Sequence, residues 1–306
     1  MILQGIINIL KPPGMTSHDV VAVLRRRLGV KRVGHGGTLD PPAAGLLVLM
    51  VGKATRLSEF ITEMDKVYRG EITFGIRTDT LDAAGSVVGS NPVDLTGQQI
   101  EAVFSRFTGK IEQVPPMVSA VKHRGKRLYE LARRGKTVPR PSRSITIKKL
   151  HLLELYPGKD GYPRALFDCH CSKGTYIRTL AADMGDYLGC GAHLSFLLRT
   201  AVGPFALDNS WLLEEIEDCP DPSKCLLPLT SALGKLPRVI VKPVAVKTVS
   251  HGNRLYPAGT EDMGTPPASG QLVRLEQPPG NLIALAHWTV EATSGYFRPY
   301  KVFYEP

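Results

Sequence analysis

The chain has 306 residues, 43% hydrophobic and 22% charged, an ordinary balance for a soluble globular protein. No apolar run reaches the roughly 18 residues of a membrane span, and the first residues lack the pattern of a secretory leader. Net charge is +10, and five cysteines without a Cys-x2-Cys pair argue against a disulfide framework or a structural zinc site, so a reducing, cytoplasmic setting is expected.

In chain order, the apolar N-terminus reads as a first strand. Thr16-Ser17 can cap a helix running to about Leu28, with Val20, Leu24 and Leu28 on one face and Arg25, Arg26 and Arg27 largely outside. Leu46 to Val51 is a continuous apolar run between Gly45 and Gly52, as in a buried strand. Lys66 to Phe74 alternates, placing Tyr68, Gly70, Ile72 and Phe74 on one side of a strand. Thr96 and Gln99 have the spacing of a capping box, opening a helix to about Phe107.

From Lys110 to Leu150 twelve Lys or Arg face two acids, a net of +10 that equals the surplus of the whole chain. So local a field is the footprint of a polyanion partner, nucleic acid above all. Strand patterns resume at Ser144–Tyr156 and Arg164–Cys171, followed by a helix from about Thr175 to Leu188 that puts Arg178 at the margin of its buried stripe. Strands and helices mix without regular alternation, which predicts an α+β fold with a largely antiparallel sheet flanked by helices. After about Leu236 the helix signal disappears. Short strands at Val239–Val249, Leu272–Leu275, Leu282–Ala286 and Lys301–Phe303 suggest a small all-β, barrel-like module. The expected division is 1–235 and 236–306, with a basic insertion at about 110–150.

The densest chemistry lies in Gly34-His-Gly-Gly-Thr-Leu-Asp40-Pro-Pro-Ala-Ala-Gly45. A phosphate-binding loop would be followed by a helix start, but here a buried strand follows and no Gly-Lys-Ser/Thr ending appears. What remains is Asp40, framed by glycines and Pro41 at the lip of a sheet. Pattern alone leaves open whether it is a nucleophile or base, or a loop cap.

Gly-His-x-Gly-Thr-Leu-Asp-Pro resembles the catalytic motif of the TruB-type tRNA pseudouridine synthases, which modify the T-loop uridine. Four further stretches are similar to that family in the same order. They are Lys11-Pro-Pro-Gly-Met-Thr-Ser17; Asp65-Lys-Val-Tyr68 with Gly75–Thr80; Gln113–Lys122 with Gly125–Arg133; and Cys171-Ser-Lys-Gly-Thr-Tyr-Ile-Arg178 with Gly191–Arg199. The resemblance implies that Asp40 attacks the uridine and that Tyr68 lies against the extruded base and helps the proton leave carbon 5. It implies that Arg178 pairs with Asp40 and keeps it ionised, and that Leu197 walls the pocket. His35 would enter the space left by the flipped bases, and Lys11 would brace the site. Lys122, Arg124, Lys126, Arg127, Arg133, Arg134 and Lys136 would grip tRNA.

An internal rearrangement of this kind calls for no cofactor and no metal. The segment after 236 resembles, more weakly, a PUA domain near the acceptor stem. A monomer without an obligatory protein partner is expected. Gly36, where the family has threonine, and Val118, where tyrosine is common, depart from its pattern, as do Pro42 and Ala44. Alternatives are a tRNA chaperone with secondary catalysis, a guide-RNA-dependent relative, and a glycosidase needing a second carboxylate, of which none stands near Asp40 in sequence.

Overall fold

Thr16 opens the first helix through reciprocal side-chain bonds. In the computed structural model, which describes residues 3–304 apart from 262, 264, 292 and 293, its hydroxyl accepts from the Asp19 amide at 3.1 Å and its amide donates to the Asp19 carboxylate at 2.8 Å. Two donors that a helix start leaves unpaired are thereby satisfied. Helix α1 (Ser17–Leu28) buries Val20, Val21 and Leu24. Thr96 and Gln99 repeat the device for α2 (Gly97–Arg106).

Strands β1 (Gly5–Lys11), β2 (Ala44–Val51), β3 (Lys66–Phe74), β4 (Gly109–Gln113), β5 (Arg143–Pro157), β6 (Pro163–Cys171) and β7 (Ala192–Val202) lie in the order β1-β2-β7-β3-β6-β5-β4. Of these contacts only β2–β7 is parallel, so the sheet is largely antiparallel and the fold is α+β as expected. The unbroken apolar run of β2 follows from its position. Leu47, Leu49 and Val51 pack under α1, while Leu46, Val48 and Met50 face Phe205, Leu285 and Phe303 on the other side. A strand covered on both faces has no polar side to alternate with. Helix α3 (Ile177–Tyr187) and α2 cover β3 and β6 through Ile100, Phe104, Leu180 and Met184.

The basic insertion is shorter than its charge suggested. Its ends are β4 and β5, which pair with each other from Gln113↔Arg143 to Gly109↔Ile147. Residues 114–142 form the excursion, with a hairpin of Lys122–His123 and Lys126–Arg127 and a short helix, Leu128–Ala132. Arg124 and Gly125 turn that hairpin with φ of 49° and 84°, both left-handed as a type I′ turn demands.

The strand expected over Val239–Val249 is not one element. It ends at Ile240 in β8 (Arg238–Ile240), and Pro243–Ser250 forms helix α4. Pro243, at the start of the helix, supplies the required φ without wasting a donor, and Val246 and Val249 then face inward one turn apart. Three longer strands complete a four-stranded sheet: β9 (Leu272–Gln277), β10 (Asn281–Glu291) and β11 (Ser294–Val302). Leu282, Leu285 and Phe303 seat this module against Ile6, Leu46 and Met50 of the main sheet. No described helix is long and apolar enough to cross a membrane.

Candidate active site

Asp40 sits on a loop that is tied down on both sides. Ahead of it, the buried Ser17 hydroxyl accepts from the Leu39 amide at 2.9 Å and donates to the Leu39 carbonyl at 3.1 Å. Behind it, the Pro41 carbonyl receives the Gly14 amide at 2.8 Å and the Lys11 ammonium at 3.3 Å. Lys11 is fully buried and also donates to the Pro12 and Met15 carbonyls, and burial lowers its pKa to about 8. These bonds tie Lys11 to the backbone of residues 12, 15 and 41. From below, Arg199 on β7 donates to the carbonyls of Leu46 at 2.8 Å, Thr38 at 3.3 Å and Gly37 at 3.0 Å. Its strand passes so close that a β-carbon at Gly45, where φ is 113°, would lie 2.4 Å from the Arg199 carbonyl oxygen.

Across the cleft stands Arg178, in the first turn of α3. It is not at the margin of that helix's apolar stripe but buried, with its side chain 4% exposed. Burial is tolerated because its donors have partners. One terminal nitrogen lies 2.9 Å from the Asp40 carboxylate and 2.8 Å from the Val118 carbonyl, to which it donates. The other donates to the Thr80 carbonyl at 3.1 Å and lies 3.5 Å from the Asp82 carboxylate. The chain fold thus brings up the second acid that sequence proximity to Asp40 did not reveal. Asp82 is itself committed, accepting from the Thr80 hydroxyl at 2.6 Å and the Ala84 amide at 3.1 Å.

The pairing implied by the resemblance keeps Asp40 ionised, since an adjacent arginine lowers a carboxylate's pKa. The structure reverses the sign. Burial at the floor of the cleft raises the carboxyl above its usual range, and Arg178 offsets only part of that. Water still reaches the side chain, which is 39% exposed, so the group sits in a concave but open site.

Two sizeable cavities meet at Asp40, beside a minor one of about 40 Å³ against Asp82 and Leu197. The larger, about 1260 Å³, runs from the start of α1 and His35 past Asp40 to the 114–142 segment. Lys122, Arg127, Arg133 and Lys136 line it, whereas Arg124, Lys126 and Arg134 do not. The smaller, about 500 Å³, contains Tyr68, Leu197, Arg178 and Arg199 beside Asp40. Tyr68 pairs across strands with Arg199 and is buried, which pushes its phenol up to about 12 and keeps it neutral. Leu197 is half-buried against the same core. His35 lines the larger cavity while its ring accepts the Gly37 amide at 3.3 Å, and burial keeps its pKa low, so it is an uncharged surface. Among the described residues no group of three or more His, Cys, Asp or Glu could hold a metal ion.

Asp82 and Arg199 have no role expected from the sequence and Ser17 only that of a helix cap beside Thr16, though Ser17 and Arg199 fall within the motifs quoted. Arg199 offered a signal, a cation at an inward position of a strand otherwise apolar on that side. Asp82 lies just beyond the stretch Gly75–Thr80 and becomes visible only in three dimensions. The departure at Gly36 has a steric counterpart, since a β-carbon there would lie 2.1 Å from Ile61.

Residues 25–177 match the model of the TruB family pseudouridylate synthase N-terminal domain, and 178–234 that of the tRNA pseudouridylate synthase B C-terminal domain. The tRNA pseudouridine synthase B of Moorella thermoacetica is 49% identical over 98% of this chain and 99% of its own length. That of Pelotomaculum thermopropionicum is 47% identical over 99% of this chain and 96% of its own. Among solved structures, a chain of an H/ACA RNP bound to a substrate RNA containing 2′-deoxyuridine superposes with a TM-score of 0.75 at 28% identity, covering 98% of this chain and 85% of that one. A chain of a Cbf5-Nop10-Gar1 complex gives 0.73 at 31% identity, covering 97% and 84%.

Proposed function

The chain belongs to the TruB family of pseudouridylate synthases, and from that premise we propose that Asp40 is the nucleophile that attacks a T-arm uridine swung out of its stack. The overall activity is tRNA pseudouridine synthesis, an isomerisation. The bond from N1 of the base to the sugar breaks, the base turns, and carbon 5 joins the same sugar carbon; the carbon 5 proton leaves to solvent, N1 takes one up, and the bond that Asp40 forms to the nucleoside is broken again before release. Atoms and electrons balance without an external reactant.

The observation that carries the role of Asp40 is its seat. An ionisable carboxylate faces open cavity on one side and a buried guanidinium on the other, on a loop with little freedom to move. Fixed aim of this kind is what a nucleophile requires. Tyr68 and Leu197 supply an apolar wall for the extruded base; a part for Tyr68 in removing the proton from carbon 5 would require its phenol to ionise, which burial opposes. Extrusion costs a few kcal/mol, and the uncharged His35 ring at the rim is suited to occupying the gap left behind. Asp82 does not favour hydrolysis by a carboxylate pair, because its oxygens are taken by Arg178, Thr80 and Ala84.

The four cations of the 114–142 segment that line the large cavity support direct gripping of tRNA, without a guide RNA. The division at about 235 is supported by the separate core of the C-terminal module, built from Val241, Val273, Ile283, Trp288 and Phe297. We assign that module to the acceptor stem, and the whole to a monomer working in the cytoplasm. The deciding experiment uses tRNA tritiated at carbon 5 of uridine. The protein should release label from the T arm, and Asp40→Asn should not; turnover by that variant would remove Asp40 from the mechanism.

A further inference from the structure

The smaller cavity beside Asp40 is strongly cationic. Lys66, Arg143, Lys173, Arg178 and Arg199 line it, against Asp40 as its one acid among the lining residues. Three of the five are already committed. Lys66 donates to the carbonyls of Ile61, Thr62 and Met64, Arg199 to the catalytic loop, and Arg178 to two carboxylates. Arg143 and Lys173 differ. Both are exposed, one at the start of β5 and the other in the turn before α3. Among the described residues Arg143 makes no side-chain hydrogen bond or ion pair. Lys173 pairs with Glu63, but the two side chains are 52% and 58% exposed, and such a pair contributes little and exchanges readily.

We propose that Arg143 and Lys173 form a phosphate subsite for the RNA strand on one side of the target uridine, opposite the grip of the 114–142 segment. The inference rests on the reading of Asp40 as the catalytic residue. A nucleotide whose base lies beside Tyr68 and Leu197 has a phosphodiester on each side of its sugar. The large cavity receives the strand at Lys122, Arg127, Arg133 and Lys136. The smaller cavity shares Thr38, Leu39, Asp40, Ser119 and Ala120 with it, so the strand can continue from one into the other without a break. The Arg143 fork can take a phosphate in bidentate fashion, while Lys173 acts as a point charge. Glu63, which pairs with Lys173 without itself lining the cavity, then competes with the phosphate for that cation.

The test measures binding of T-arm RNA across a salt series for Arg143→Gln/Lys173→Gln and, separately, for Glu63→Gln. The double variant should lower the slope of log affinity against log salt by about 1.4, at roughly 0.7 per contact for a single strand. Glu63→Gln should act in the opposite direction, tightening binding by up to about fivefold. A scan of single methylphosphonate linkages around the target should find one position that weakens the parent and is silent in the double variant. An unchanged slope, looser binding by Glu63→Gln, or parallel responses at every linkage would each overturn the subsite. Label release by the parent, measured in the same preparations beside Asp40→Asn, reports on the catalytic reading independently. Its absence would sink the catalytic reading and leave the binding result standing.

Discussion

Between His35 and β2, the loop carrying Asp40 is held from three directions by buried donors: Ser17 in front, Lys11 behind and Arg199 beneath. The 114–142 segment facing it across the cleft is built otherwise. Its backbone bonds run within itself, as from Leu128 to Val121 and from Tyr129 to Ser119, and the Val118 carbonyl joins it to Arg178. Most of its cations stand in solvent. The first region holds the Asp40 carboxylate on backbone that has little freedom to move, the kind of fixed aim the proposed attack requires. The second presents exposed cationic charge, as the proposed grip on tRNA requires, and, with few ties, can open locally at low cost. Chemistry and grip are therefore separable by mutation.

The sharpest cut falls on Asp40. Asp40→Asn keeps the size and part of the hydrogen bonding, and the rate of label release should fall by at least about 10³-fold with tRNA affinity nearly unchanged. Loss of both would mean that the loop also carries binding. Because burial raises the Asp40 pKa, the folded chain holds that proton more tightly than the unfolded one. The stability this confers at low pH is lost as the pH rises through the folded value. Asparagine escapes that loss, so thermal melts should show the variant at least as stable as the parent near neutrality, with the difference vanishing in acid. In the active protein the rate should rise with pH as Asp40 ionises. Arg178→Met removes the cation that opposes burial, and the ascending limb of the pH–rate profile should move to higher pH. A limb that stays in place would show that Arg178 does not set the ionisation of Asp40.

The complementary cut falls on the segment. Changing Lys122, Arg127, Arg133 and Lys136 together to Gln should reduce the salt slope of tRNA binding by roughly 0.7–0.9 per contact. Single-turnover rates at saturating RNA should stay near the parent's, because Asp40, Tyr68 and Arg178 are untouched. A rate that falls with the affinity would show that the segment does more than grip, through the Val118 carbonyl on Arg178.

A smaller effect tests how tightly the loop must be held. Ser17→Ala strands the amide and carbonyl of Leu39, itself 3% exposed, and should cost about 1–3 kcal/mol of stability in a denaturant titration. With Asp40 next in the chain, the chemical step should slow by about 10- to 100-fold, the expected effect of a slight misplacement. Full activity with the stability loss would mean that Lys11 and Arg199 suffice.

The same contrast explains what could be read before the fold was known. Capping boxes, the β2 run and the alternation of β3 are local patterns, and the helices and strands begin within a residue or two of where they point. Asp40 was legible because its motif is contiguous. Asp82 was not, because it meets Arg178 only when β7 and α3 have packed. The raised pKa of Asp40 is hidden from the sequence for a related reason: the arginine can be named there, but the depth of the cleft cannot. At Val239–Val249 apolar content outvoted Pro243, which starts a helix where a strand was expected. The basic stretch at about 110–150 includes the ends of β4 and β5, because charge marks a surface and does not distinguish strand ends from the loop between them.

The smallest expected effect comes from the three cations of the segment that do not line the cavity. Arg124 and Lys126 lie at the hairpin tip and Arg134 just beyond the short helix, all exposed. Exposed charges more than about 8 Å from a phosphate are largely screened at physiological salt. Replacing these three should therefore change the salt slope by well under the value expected for three contacts, with the rate unaltered. Arg124→Asn is the preferred change at the tip, since asparagine loses the charge and accepts the left-handed backbone, with φ of 49°, more readily than arginine does. Lys126→Gln and Arg134→Gln complete the set. If this variant loses as much affinity as the four-residue change in the cavity, the RNA crosses the outer face of the segment and the cavity wall is not its main grip.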